Sequence, residues 1–234
     1  MKSGVQDNIA HLRSEIATCC ARYGRDAKEV NLLAVSKTVG VDRIREALDA
    51  NQYHFGENYL QEAEDKIAML GDTGAIWHYI GAIQSNKTAS IARNFTWVHT
   101  VASEKVARRL DHQRPDDLPP LKVMVQVNVS GEHSKAGVSP AEVLPLIGTM
   151  AAFDRLEIHG LMAIPEAASD IDTQRASFRA LRELKDTVKA QLGQALPHFN
   201  ELSMGMSGDL EAAIAEGTTW LRIGTAIFGA RTKQ

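Results

Sequence analysis

Hydrophobic positions along the chain switch repeatedly between a helical period and short unbroken runs. Within residues 5–23, Ile9, Leu12, Ile16 and the Cys19/Cys20 pair recur at helical spacing, and Gly24 follows as a stop. Residues 31–35 then form a short apolar run, the pattern of a parallel strand buried on both faces. A helix is predicted over 42–50, capped by Asp42. The alternation continues with strands over 53–56, 77–81 and 97–101, followed by helices over 59–70, 85–93 and 104–112. A polar, proline-containing connector at 113–120 leads to 121–129, the clearest strand and rich in valine. Residues 140–153 read as a helix with Pro140 in its first turn, which Pro145 should kink or delay. Strands over 157–164, 201–204 and 220–228 complete the set, with helices over 173–192 and 208–215 between them.

Strands alternating with helices predict a parallel sheet with right-handed crossovers. An open doubly wound sheet is the rival arrangement. Roughly eight such units more naturally close into a (β/α)8 TIM barrel, here preceded by one additional N-terminal helix. No repeat, low-complexity tract or linker interrupts the pattern, so residues 1–234 read as a single domain.

Composition then narrows the function. With 26 basic and 29 acidic side chains the net charge is −3, which argues against a nucleic-acid-binding face. No apolar run approaches the roughly 18–20 residues that span a bilayer. The opening MKSGVQDNIAHL has no apolar segment of the secretory type. Adjacent Cys19 and Cys20 build no disulfide framework, so a cytoplasmic protein is expected, engaging neither membrane nor nucleic acid. No H-E-x-x-H or C-x-x-C pattern occurs, and no metal site is expected. His54, His78 and His99 fall within predicted strands and read as satisfied core or rim groups.

In a barrel, chemistry collects where strands end. Lys37 directly follows Leu-Leu-Ala-Val-Ser and should point inward at the barrel mouth. Burial there disfavours the ammonium and frees the amine to attack a carbonyl, although an ordinary surface lysine would occupy the same position. Gly56, Glu57 and Asn58 end the second strand. After the seventh, Met206-Ser207-Gly208 leads into a helix, and the last strand carries Arg222-Ile223-Gly224-Thr225. Phosphate sites in barrels form in these last two loops, from hydroxyls, unpaired backbone N–H groups and closely approaching glycines. The plainer alternative makes Ser207 an N-cap and Gly224 a packing residue. A carbonyl-capturing lysine facing a phosphate cradle suggests a phosphorylated aldehyde, either pyridoxal 5′-phosphate (PLP) or the substrate of a Schiff-base aldolase.

Seven stretches, LLAVSKT, FGENYLQEAEDK, WHYIGAIQSNK, VNVSGEHSKAG, HGLMAIP, LSMGMSGDLEAAI and LRIGTAIFGAR, closely resemble the YggS/PROSC family of PLP homeostasis proteins. They run in order from about Asn31 to Arg231. The resemblance implies a barrel of the alanine racemase N-terminal type. It implies that Lys37 carries PLP as a Schiff base, that Ser207, Gly224 and Thr225 hold the phosphate beside Met206, that Arg222 faces the pyridine nitrogen, and that Asn58 lies beside the cofactor. The family is tied to vitamin B6 balance without established turnover, which makes a carrier the first reading and apo PLP-dependent enzymes its partners. One departure is visible: relatives often continue as SKTKP, whereas this chain has Ser36-Lys37-Thr38-Val39-Gly40 and lacks the second lysine.

A weak amino-acid racemase is the alternative. Two-base racemisation needs an acid/base on each face of the substrate, and in alanine racemase a second domain and partner subunit complete the site. The short stretch after the last predicted strand leaves an open, monomeric barrel as the expectation. Tyr59 and Tyr79 read as packing aromatics, and Lys135 is either a ligand contact for a carboxylate or phosphate or an exposed loop residue. No catalytic residue is therefore assigned.

Overall fold

The structure, a computed structural model, describes residues 4–131 and 136–229. Its centre is a closed barrel of parallel strands in the order β1 (Asn31–Val35), β2 (His54–Glu57), β3 (Ile76–Tyr79), β4 (Trp97–Val101), β5 (Leu121–Gln126), β6 (Leu156–Met162), β7 (Glu201–Ser203) and β8 (Trp220–Ile223). β8 pairs back onto β1, which closes the ring. Between the strands run α2 (Val41–Asp49), α3 (Leu60–Leu70), α4 (Thr88–Asn94), α5 (Glu104–Gln113), α6 (Pro140–Met150), α7 (Ile171–Leu192) and α8 (Leu210–Ala215). The additional N-terminal helix is α1 (Val5–Arg22), and α9 (Thr225–Phe228) follows β8. None of these helices is long and apolar enough to cross a membrane.

The strands read as unbroken apolar runs because both of their faces are buried. On β1, Leu32 and Ala34 join the large core between sheet and helices, while Leu33 points the other way into a second cluster with Trp97, Met124, Met162 and Trp220. That inner cluster fills the barrel. It shares the interior with fully buried His78, His99 and Ser203 and nearly buried Arg222, an unusually polar filling for a fold whose interior is usually branched aliphatic. Of the predicted satisfied histidines, His78 and His99 are core groups and half-buried His54 lies at the rim, each hydrogen-bonded to its neighbour.

Several local expectations are corrected. Asp42 lies inside the first turn of α2, and Gly40 is the N-cap. α6 starts at Pro140 without delay, since Pro145 forgoes only one ladder bond and Val143, Leu146, Ile147 and Met150 anchor the helix in the core. The eighth strand ends at Ile223, not at residue 228. The apolar run beyond it coils into α9, which buries Ile227 and accepts a 2.8 Å hydrogen bond from Asn8 of α1. A short apolar run has no period of its own, so packing against α1 decided its form.

The buried histidines make stability depend on pH. Burial holds His78 and His99 well below the ordinary imidazole range, and lowers His54 and His159 as well. Unfolded, each titrates near about 6.5. Below that value the unfolded chain binds more protons than the folded one, so stability is lost as pH falls. The urea midpoint is expected to drop between about pH 7.5 and about pH 5.5. A midpoint constant over that interval would show that these rings are not held neutral by the fold.

Candidate functional site

Lys37, Asn58, Met206, Ser207, Arg222, Gly224 and Thr225 all line one cavity of about 300 Å³ at the C-terminal ends of the strands, together with Val35, Ile80, Ile164 and Gly208. The seven positions named from sequence therefore converge. Lys135 lies outside the described residues.

Lys37 is half-buried in the turn after β1, and its backbone is held from below. Lys66 of α3, only 5% exposed, donates to the Ser36 carbonyl (2.6 Å), to Glu57 Oε1 (2.7 Å) and to Glu62 Oε1 (2.5 Å). Ser36 Oγ donates to the same Glu57 oxygen at 2.6 Å, and the Thr38 amide donates to Glu62 Oε1 at 2.6 Å. Both residues flanking Lys37 are thereby fixed. Thr38 is held at φ 64°, a left-handed conformation that a β-branched residue adopts only under constraint. Burial pushes the Glu57 carboxyl up, against the opposing pull of Lys66 and Ser36. Sequence reasoning missed this clasp. Its one visible signal is the Glu62/Lys66 pair at i, i+4, a spacing that usually marks a solvated helix face.

Arg222 projects from β8 into the barrel and is 5% exposed. Its Nη1 donates to Ser203 Oγ at 2.8 Å and its Nη2 to the Ala163 carbonyl at 2.9 Å. Burial pulls its guanidinium down to about 10, with Asp209 opposing the shift, so it remains a cation at neutral pH. Asn58 presents a buried Oδ1 that has no hydrogen-bond partner among the described residues. Its backbone approaches Gly81 so closely that a Cβ there would fall 2.1 Å from the Asn58 carbonyl oxygen, which explains the glycine at the end of β3.

The loop after β7 turns on Gly205, at φ +95°, where a Cβ would meet the Ala213 Cβ at 2.5 Å and Leu221 Cδ2 at 2.8 Å. Met206 N then donates to Asp209 Oδ1 at 2.5 Å, and Asp209 is the N-cap residue of α8. Ser207 is consequently not the cap, and its exposed side chain borders the cavity. Arg175, Arg179 and Arg182 of α7 converge on buried Glu216 just after α8, which seats this segment against the barrel. The packing role of Gly224 is real, since a Cβ there would lie 3.1 Å from the Val35 carbonyl oxygen, and the same residue lines the cavity. Gly205→Ala is expected to cost about 1–3 kcal/mol of stability through overpacking and a disfavoured φ. Gly208→Ala, with open space around its Cβ, is the matched control and should fall within about 0.5 kcal/mol of the parent in urea titrations.

The two tyrosines separate. Tyr79 is buried, packs edge-on against Phe95 and donates to the Ala82 carbonyl at 3.0 Å, a packing role. Tyr59 is 58% exposed, which corrects the expectation that it packs; it lines a neighbouring cavity that shares Asn58 and includes Gln84 and Lys87.

A parallel barrel with a lysine after its first strand and an arginine on its last matches the family model described as alanine racemase, N-terminal domain, over residues 8–232. Among curated proteins, pyridoxal phosphate homeostasis proteins of Pseudomonas aeruginosa and Vibrio cholerae are 51% and 47% identical over 229 and 231 residues. The matches cover 98% and 97% of this chain and 96% of each relative. The chain belongs to the alanine racemase N-terminal domain family and, within it, to the pyridoxal phosphate homeostasis proteins. Among solved structures, PipY of Synechococcus elongatus was determined with PLP bound and without it. The two forms are 35% and 36% identical to this chain with TM-scores of 0.85 and 0.86, covering 96% of this chain and 100% of PipY. An alanine racemase of Clostridium difficile shares the fold at 13% identity and a TM-score of 0.72, with 97% of this chain on 58% of that one.

Proposed function

We propose that this protein holds PLP as a Schiff base on Lys37 and serves in intracellular PLP homeostasis, buffering the cofactor or delivering it to apo-enzymes. It acts as a cytoplasmic, monomeric carrier formed by one barrel domain over residues 1–234, without turnover of its own. The observation that carries this reading is the convergence of a primary amine, a buried guanidinium, a partnerless amide oxygen and two hydroxyl-bearing loops in a single cavity.

The donor set fits PLP group by group. Lys37 would hold the aldehyde carbon as a Schiff base, with the backbone on either side of Lys37 clamped by Lys66 and Glu62. Ser207 and Thr225 would supply hydroxyls for the phosphate, with the backbone at Met206 and Gly224 beside it. Arg222 would face the pyridine nitrogen. Bound PLP supplies an electron sink whose strength depends on protonation of that nitrogen, and a fixed cation there disfavours protonation. This supports holding over carbanion chemistry.

The test is transfer. Protein loaded with PLP is mixed with an apo-enzyme that requires it, and reactivation is timed against loss of bound PLP into buffer alone. Reactivation faster than that release supports delivery, equal rates support buffering, and a protein that takes up no PLP refutes both. Racemisation is tested separately by solvent-deuterium exchange at the α-carbon of amino acids. Exchange that disappears in Lys37→Ala would make the protein an enzyme.

A further inference from the structure

A single file of side chains runs from Arg222 through the barrel interior to its opposite end. Arg222 Nη1 donates to Ser203 Oγ at 2.8 Å, and Ser203 Oγ lies 2.8 Å from His99 Nδ1. His99 Nε2 lies 2.9 Å from His78 Nδ1, and His78 Nε2 lies 2.9 Å from His54 Nδ1. Five strands contribute one member each: β8, β7, β4, β3 and β2. His54, half-buried, lines a cavity of about 340 Å³ bordered by Asn31, Leu32 and Gln52, at the N-terminal ends of β1 and β2.

The chemistry at one end fixes the polarity of the whole file. A guanidinium only donates hydrogen bonds. Ser203 Oγ therefore accepts from Arg222, and among the described residues its other hydrogen-bond partner is His99. With the serine O–H directed at His99 Nδ1, His99 carries its proton on Nε2 and donates to His78 Nδ1. His78 then carries its proton on Nε2 and donates to His54 Nδ1. The reverse polarity would send Arg222 and His99 both into Ser203 Oγ and strand a fully buried hydroxyl hydrogen with no acceptor. Lys122, stacked over the Trp97 ring, adds positive charge to the same interior and opposes protonation of His54 and His78.

We propose that Ser203, His99, His78 and His54 are positioning residues for Arg222, a hydrogen-bond file of one polarity that turns three neutral imidazole lone pairs toward its guanidinium. The hydrogen bonds of Arg222 itself go to neutral acceptors, Ser203 Oγ and the Ala163 carbonyl. The aligned imidazole dipoles add to the field of Asp209, the carboxylate that acts on Arg222 from the loop after β7, and they hold the fork at a fixed angle in the cavity. The bearing of this file on PLP rests on the functional reading above; its polarity does not.

The decisive measurement is made on PLP-free protein labelled with ¹⁵N-histidine. Long-range ¹H–¹⁵N spectra at neutral pH, assigned through single His→Gln variants, should show His54, His78 and His99 as neutral Nε2–H tautomers. Ser203→Ala should move His99 to the Nδ1–H form or a mixture, and Ser203→Thr should restore the parent pattern. An Nδ1–H tautomer at His78 or His99 in the parent overturns the proposal, and so does a pattern unchanged by Ser203→Ala. In PLP-loaded protein the visible band of Ser203→Ala should titrate with an apparent pKa moved by about one unit, a tenfold change in proton affinity at the cofactor; no movement overturns the proposed action on Arg222. A parent protein that takes up no PLP refutes the functional reading instead, while the tautomers still decide the polarity.

Discussion

Lys37→Ala is expected to abolish covalent uptake of PLP. Parent protein given PLP should develop a band near roughly 420 nm, and borohydride should fix the label on the peptide containing Lys37. The variant should show neither. The effect should be clean, because the turn is held by groups other than the Lys37 side chain. Lys66 grips the Ser36 carbonyl and Glu62 grips the Thr38 amide. Lys37→Ala is therefore expected to stay folded, and its urea midpoint is measured beside the uptake so that loss of the band is read on folded protein. A label that persists on Lys135 or on any other lysine would remove Lys37 from its assigned role.

The clasp beneath that turn should be the most costly feature to break. Lys66 and Glu57 are buried, and Glu57 has Ser36 as its other partner. Lys66→Met leaves the Glu57 carboxylate in the core without its cation, at an expected cost of about 3–5 kcal/mol. Adding Glu57→Leu to the same chain should recover most of that loss, because an apolar pair in place of a buried ion pair is often neutral. PLP uptake is expected to behave differently. The double variant should fold yet take up PLP more slowly than the parent, since neither new side chain can grip the Ser36 carbonyl next to Lys37. Urea titration reads the first effect and the rate of band formation the second. Full stability in Lys66→Met would show that Glu57 is neutral in the folded protein. Burial drives Glu57 in that direction and Lys66 holds it back.

Most of the barrel could be read from the chain because its alternation is local. Unbroken runs such as Leu32–Ala34 and periodic stretches such as Ile9, Leu12 and Ile16 each carry their own signal. The site was legible in part for the same reason. Lys37 and Ser207 stand just past predicted strand ends and a barrel gathers strand ends at one mouth, whereas Asn58 and Arg222 were singled out by the family resemblance. Errors arose where a neighbour set the outcome. Ala226, Ile227 and Phe228 continue an apolar run in the sequence, yet coil into α9 because Ile227 is buried there. Tyr59 and Tyr79 look alike as strand-end aromatics, yet one is exposed and the other packs on Phe95.

The sequence by itself thus determined the order of elements and favoured closure into a barrel, because these follow from hydrophobic period, while the family resemblance singled out most of the groups at its mouth. The tertiary structure decided what lies beneath them. Glu62 and Lys66 have the spacing of a solvated helix pair, and only the approach of β1 and β2 to α3 turns Lys66 into the buried anchor of Lys37. His54, His78, His99 and Ser203 are scattered over 150 positions. Where both faces of a strand are buried, the pattern does not say which side chains point inward. Closure of the sheet brings these four into one line behind Arg222, whose donor-only chemistry then gives that line its direction.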